Sequence, residues 1–204
     1  MKLFHAPGTC SLGIRILLEE IGDPYEVAVL DLRTGAHRKA DYLAVNPKGK
    51  VPALMRDDGS ILTEFQAIAL WLSRTHPRAD LWPTDPEGEA RTLELLEFLV
   101  STVHMRGFTL ALVPGKFVPD AGAQAALRAH GLAVAGEGLA RVAEQLGDAA
   151  FLNGARPGVT DAALFYLLQW SVLLQMPLPA PLEDFHRRMM TRAAVRRALD
   201  LPAA

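Results

Sequence analysis

Cysteine is nearly missing from this sequence: Cys10 stands alone in 204 residues. No internal disulfide and no Cys-x-x-Cys pair can form, so any thiol chemistry at Cys10 needs a resolving thiol from elsewhere. A charge excess is missing too, since the formal net charge of −2 gives no reason to expect nucleic acid or an anionic membrane as partner. No run approaches the ~18 consecutive apolar residues of a membrane span. A secretory pattern is absent because Glu19, Glu20 and Asp23 stand where a cleavage region would be. These absences predict a cytoplasmic protein. Internal repeats and low-complexity segments are lacking as well. What remains is ordinary for a folded chain, 50% hydrophobic and 22% charged, long enough for one large or two small domains.

The richest stretch is Leu3-Phe4-His5-Ala6-Pro7-Gly8-Thr9-Cys10-Ser11. A short apolar run reaches the turn signal Pro7-Gly8, and Ile14, Leu17, Leu18 and Ile21 then recur at helical spacing until Gly22 and Pro24. Cys10 falls in or beside the first turn of that helix, where unpaired N–H groups and the positive dipole end favour an anion. Such placement lowers a thiol pKa from about 8.5 into the range of roughly 3.5–7.5. From these local features a reactive thiolate and a small buried hydrophobe are both open readings.

Tyr25 to Leu30 reads as a second strand, and Thr34 to Ala44 as a short helix. Two antiparallel strands flank the hairpin turn Asp57-Asp58-Gly59. Thr63-Glu64-Phe65-Gln66 fits a capping box, with Thr63 as N-cap, opening a third helix. The order βαβαββα over residues 1–76 predicts an α/β layer domain. Pro77, Pro83 and Pro86 mark a linker over 77–86, and 87–204 reads as all-helical. There a long helix runs from Glu87 to about Leu112. A second covers Ala123 to Leu146, where Gly131, Gly136 and Gly138 suggest close helix packing. Further helices lie at Val159 to Leu174 and Pro181 to Ala198, the last with arginines read as a solvated face. On the long helix Glu97, Ser101 and His104 form a polar stripe beside Leu93, Leu96, Val100 and Val103.

Pro7-Gly8-Thr9-Cys10-Ser11 before the first helix, Asn46-Pro47-Lys48-Gly49-Lys50-Val51-Pro52, Asp58-Gly59-Ser60-Ile61-Leu62-Thr63-Glu64 and Ser101-Thr102-Val103-His104, in that order, make the chain resemble a cytosolic glutathione S-transferase, closest to the bacterial beta class. The resemblance implies a thioredoxin-like domain followed by an all-helical domain, a homodimer, glutathione as co-substrate, no metal, and a detoxifying transferase. It implies a cis Val51-Pro52 bond, with Lys50, Val51, Pro52, Glu64, Phe65, Glu97 and Ser101 around glutathione. Cys10 and His104 are the implied catalytic residues. Phe108, Leu112 and Trp170 are candidates for an apolar wall facing the electrophile.

Against that pattern, Phe65 replaces a small residue, Glu97 an amide, Met105 a lysine and His5 a tyrosine, and Gly158 leaves half of a capping box with Asp161. The expected activity is conjugation of glutathione to an apolar electrophile, exchange of glutathionyl mixed disulfides through Cys10, or both. The rival readings are a binding protein that holds glutathione or an apolar ligand without turnover, and a partner-binding member of the same fold. His5 is read as a core histidine.

Overall fold

A computed structural model describes residues 1–199. They divide into two compact units, one of Met1–Trp82 with the stretch from Met189 onward, the other Pro83–Arg188. The first unit is built on a four-stranded sheet of order β2-β1-β3-β4, with β1 Lys2–His5, β2 Glu26–Val29, β3 Ala53–Met55 and β4 Ile61–Thr63. β1 and β2 run parallel because α1, Ser11–Ile21, crosses between them, whereas β1–β3 and β3–β4 are antiparallel. Gly22 closes α1 at φ 81°, its N–H returning to Leu18 O. The expected short helix is two 3₁₀ turns followed by α2, Ala40–Val45. Phe4, Leu30, Tyr42 and Ala53 form a buried cluster on one face of the sheet.

The Val51–Pro52 bond is cis, as the resemblance implied. The capping box is not formed. Thr63 remains in β4, α3 runs Phe65–Thr75, and its N-cap is Glu64, which makes no side-chain cap bond. Glu64 sits at φ 71°, ψ 129°, a region few side-chain-bearing residues occupy. Its carboxylate and the Thr63 hydroxyl both meet Lys48 Nζ, at 2.6 and 2.9 Å. The capping pattern failed because β4 runs one residue further than the pattern assumed, which moves the N-cap to a residue in a non-capping conformation.

The second unit centres on α4, Pro86–Leu112. Its first part, Pro86–Glu97, is α-helical, capped by the Asp85 carboxylate on Gly88 N–H at 2.8 Å. Phe98–Phe108 is π-helical, and Thr109–Leu112 is again α. The buried positions are Thr92, Leu95 and Leu96 in the first part and Leu99, Val103, Gly107 and Phe108 in the π-helical part. Along this helix Glu97 is exposed and Ser101 and His104 are half-buried, whereas Leu93, assigned to the apolar face, is 52% exposed. By length and composition alone α4 is apolar enough to cross a membrane, which the run-length reading had not anticipated. Within this unit it is the helix against which α5, Ala121–Leu146, and α6, Val159–Leu173, pack.

Gly131 and Gly138 of α5 make that packing possible. A Cβ at Gly131 would stand 2.6 Å from Gly107 O and 2.7 Å from Ala111 N, and one at Gly138 would stand 2.6 Å from a Val103 methyl. Gly136 faces open space, so the close-packing expectation holds for two of these glycines and not for the third. α6 is apolar on all sides and buried on nearly all, as a core helix should be. Its N-terminus carries the half box: Asp161 accepts from Gly158 N–H and from Leu152 N–H, each at 2.8 Å.

α7, Ala180–Thr191, and α8, Ala193–Leu199, complete the described chain. Residues from Met189 onward group with the sheet and not with the helical unit, so the boundary read from the sequence misses this return. Arg15 explains it. The side chain is buried on α1, and its guanidinium donates to the carbonyls of Arg197 and Ala198 at the end of α8. Arg192 pairs with Glu20 at 2.9 Å and Arg197 with Glu19 at 2.6 Å. Arg187 pairs with Asp184 on the exposed face, as expected, whereas Arg188 bonds Ala150 O, so Arg188, Arg192 and Arg197 hold structure and are not simply a solvated face.

Candidate functional site

Cys10 is the N-cap of α1 and is partly covered. Burial pushes its thiol up to about 12, and the nearby Glu64 carboxylate adds to the rise; its own N–H, Lys50 and the Ser11 N–H pull the other way and lose. Of the two open readings of Cys10, this favours the protonated thiol in the ligand-free chain. A helix start offers four unpaired N–H groups, but here Leu12 N–H closes onto Thr9 O at 3.1 Å and Gly13 N–H onto Cys10 O at 3.0 Å. Ser11 N–H reaches the Thr9 hydroxyl at 3.3 Å. The Cys10 and Ser11 N–H groups still act on the sulfur, but desolvation outweighs them. The protonated thiol donates instead to Val51 O at 3.7 Å.

The segment presenting that carbonyl is firmly held. Lys50 O accepts from the Tyr42 hydroxyl at 2.6 Å and from Asn46 Nδ2 at 2.8 Å. The Lys50 side chain is exposed, Pro52 is buried, and Val51 lies between them half-buried. Across from it Glu64 and Phe65 open α3, with Glu64 exposed and ion-paired to Lys48 and the Phe65 ring buried. The bulky ring has thus found room inside the fold. Lys48 was missed by the sequence reading, although it lies inside one of the quoted motifs. The structure brings Cys10, Lys50, Val51, Pro52 and Glu64 into one neighbourhood of the first unit.

His5 lies beneath this turn, 3% exposed, its Nδ1 2.8 Å from Ser11 Oγ. Burial, then the charge of Arg15, lowers its pKa to about 4, so the ring is neutral. That is the core histidine expected.

In the second unit, the π-helical part of α4 carries Ser101, His104 and Phe108. His104 Nδ1 is 3.2 Å from the hydroxyl of Tyr166, a buried α6 residue absent from the sequence reading. Trp170 lies edge-on to His104, Tyr166 and Phe108, with ring centroids 4.7, 5.1 and 5.7 Å away. Tyr166 stands four residues before Trp170 on one helix, the spacing that could have revealed it. Phe108 has no exposed surface, so it supports Trp170 from behind and cannot itself face a substrate. Trp170 is 7% exposed and Leu112 half-buried. Ser101 is half-buried, Glu97 exposed, and Met105 44% exposed.

Two family models match the chain: the glutathione S-transferase N-terminal domain over residues 8–75 and the glutathione S-transferase C-terminal domain over residues 125–190. Glutathione S-transferase GstA of Escherichia coli O157:H7 is 35% identical over 206 residues, covering 98% of this chain and 97% of that protein. Among solved structures, a ternary complex of BphK, a bacterial transferase of the same kind, superposes with a TM-score of 0.83 at 33% identity, covering 98% of each chain. A sphingomonad glutathione S-transferase complexed with glutathione gives 0.81 at 33% identity, covering 98% of this chain and 97% of that one.

Proposed function

The chain belongs to the glutathione S-transferase family and is a glutathione-dependent transferase; from that premise we propose that the sulfur ionised during catalysis is glutathione's, and that Cys10 acts first as a hydrogen-bond donor to it. The observation that carries this reading is the Cys10 S–H on Val51 O at 3.7 Å, in a thiol that burial keeps protonated. A tripeptide laying its cysteinyl backbone along Val51 like an added strand would take that carbonyl for its own N–H. The Cys10 S–H is then released toward the incoming sulfur. Donation to an anion is stronger than donation to a neutral carbonyl, so the exchange favours a glutathione thiolate. That thiolate attacks the electrophilic carbon of an apolar substrate, the new C–S bond forming as the leaving group departs with its electron pair.

In this reading the backbone of Lys50, Val51 and Pro52 receives the tripeptide, and the N–H groups at Glu64 and Phe65 receive its γ-glutamyl carboxylate. Glu64 must give up Lys48 or carry it along. Glu97 and Ser101 contribute polar contacts. His104, oriented by Tyr166, is the residue of the second unit that holds or relays a proton in this reading. Trp170 and Leu112 line the apolar side, with Phe108 behind.

A mixed-disulfide activity is the second reading, favoured by the position of Cys10. Its thiolate attacks a glutathionyl disulfide, expelling the substrate thiolate, and a second glutathione thiolate then releases glutathione disulfide and restores Cys10. Burial pushes this thiol up to about 12, which makes it a scarce nucleophile at neutral pH and favours conjugation over exchange. The requirement for reduced glutathione and for one unpaired cysteine fits the cytoplasm. A homodimer is the assembly that the family resemblance implies.

Cys10→Ala tests the assignment. Conjugation of glutathione to an aryl halide should fall by about tenfold but persist, because the nucleophile belongs to the tripeptide, whereas exchange with a glutathionyl disulfide should vanish. Complete loss of conjugation with glutathione affinity unchanged would refute the donor role and make Cys10 the nucleophile.

A further inference from the structure

Two segments of the first unit flank Cys10, the turn at 46–49 that leads into Val51 and the junction between β4 and α3, and one side chain joins them. Lys48 Nζ donates to the Thr63 hydroxyl at 2.9 Å and to the Glu64 carboxylate at 2.6 Å, partners 15 and 16 positions away. The turn itself is closed by Gly49 N–H on Asn46 O at 2.9 Å, and Lys48 N–H donates to the buried Asn46 Oδ1 at 3.1 Å. Asn46 Nδ2 in turn holds Lys50 O at 2.8 Å. At the far end Glu64 sits at φ 71°, ψ 129°, a conformation that a residue with a side chain keeps only where its surroundings enforce it. The buried Phe65 ring fixes the chain after Glu64, and Lys48 fixes Glu64 and the residue before it.

Charge gives the contact a second consequence. Two charged side chains act on the Cys10 sulfur: Glu64, which pushes the thiol up, and Lys50, which pulls it down. An unscreened Glu64 carboxylate would also repel glutathione, which carries two carboxylates and one ammonium. We propose that Lys48 is a positioning residue for the proposed site: its ammonium ties the β4–α3 junction to the turn before Val51 and offsets the Glu64 charge beside the sulfur. The pair is half exposed, so its own stability is small, and its weight lies in what it connects. The inference rests on the reading that glutathione binds here, but one arm of its test needs no glutathione, so the two can fail separately.

Lys48→Met keeps an unbranched stem and removes the charge. In conjugation assays KM for glutathione should rise by about threefold to fivefold with kcat nearly unchanged, the upper range for one exposed pair. Lys48→Arg should restore most of the loss. In a Glu64→Gln background Lys48→Met should add little, because the partner it acts through is gone. A native KM in Lys48→Met, a lower one that makes Lys48 a competitor of the ligand, no rescue by arginine, or an undiminished rise in the Glu64→Gln background would overturn the proposal. The second arm uses the ligand-free chain, where alkylation by iodoacetamide reports on Cys10 alone because it is the only cysteine. The rate should fall by about twofold to fivefold in Lys48→Met, and return to at least the native rate in Lys48→Met with Glu64→Gln. An unchanged rate in Lys48→Met would refute the charge offset, whether or not glutathione binds. A native protein without affinity for glutathione would instead overturn the reading on which the first arm rests.

Discussion

Two glycines on one helix make a matched test of how α4 is held. Gly131 and Gly136 both lie within α5, and replacing either by alanine removes the same helix penalty, about 0.8–1.0 kcal/mol. Their surroundings differ. At Gly136 the new methyl meets nothing within 4 Å, so Gly136→Ala should stabilise by most of that amount, raising Tm by about 2–4 °C in a domain of this size. At Gly131 the methyl would lie 2.6 Å from Gly107 O and 2.7 Å from Ala111 N, both backbone atoms that no rotamer change can move. Overpacking costs about 1–3 kcal/mol, and a clash with a helix backbone belongs at the upper end. Net of propensity, Gly131→Ala should lose about 2 kcal/mol, or about 4–8 °C by the same scaling. The clash falls on the π-helical part of α4 that carries His104, so turnover should fall as well. Thermal unfolding followed by circular dichroism reads both variants. Equal shifts of the same sign would show that the glycines do not serve helix approach, and the reasoning would be wrong.

Two buried groups predict opposed responses to acid. His5, lowered from 6.5 to about 4, binds its proton more weakly in the native state, so its contribution is full above pH 6.5 and about 3 kcal/mol is lost as pH falls through 4. Asp161, raised by burial from 3.8 to about 6, binds its proton more tightly in the native state, so acidification through 6 adds about 3 kcal/mol that is lost again as pH rises. The two nearly cancel in the native protein. Urea titrations at pH 4.5 and 7 should show His5→Gln gaining stability on acidification and Asp161→Asn losing it, each relative to the native chain; parallel responses would contradict both. Tyr166→Phe removes the hydroxyl on His104 Nδ1, and a hydrogen bond of about 0.5–1.5 kcal/mol corresponds to a two- to tenfold fall in kcat with KM little changed. An unchanged kcat would dismiss the orienting role.

Much of this architecture could be read from the chain because local signals and tertiary demands agree. Pro7-Gly8, Gly22 and Asp57-Asp58-Gly59 mark turns that the structure uses, and the apolar periods of α1 and α3 match their buried faces. Three features escaped for physical reasons. The π-helical turns of α4 have a period that a 3.6-residue search cannot see. The return of the C-terminal residues to α1 depends on Arg15 reaching Arg197 and Ala198, a contact across more than 180 positions that has no local signature. The state of Cys10 stayed open in the sequence because a helix start predicts available N–H groups, while the burial that outweighs them appears only in three dimensions. Its neighbours Lys50, Val51 and Glu64 were legible through the motif resemblance, whereas the side-chain partners Lys48, inside a quoted motif, and Tyr166, one turn before Trp170, were passed over.

Thiolate absorbance near 240 nm, followed against pH with and without glutathione and compared with Cys10→Ala, addresses the question of which sulfur is ionised. The ligand-free protein should show no thiolate step between pH 6 and 9, because its thiol is pushed up to about 12. Saturating glutathione should produce a step below the ordinary thiol value of about 8.5, displaced upward in Cys10→Ala. A thiolate already present at pH 7 in the ligand-free protein, and absent from Cys10→Ala, would contradict the account.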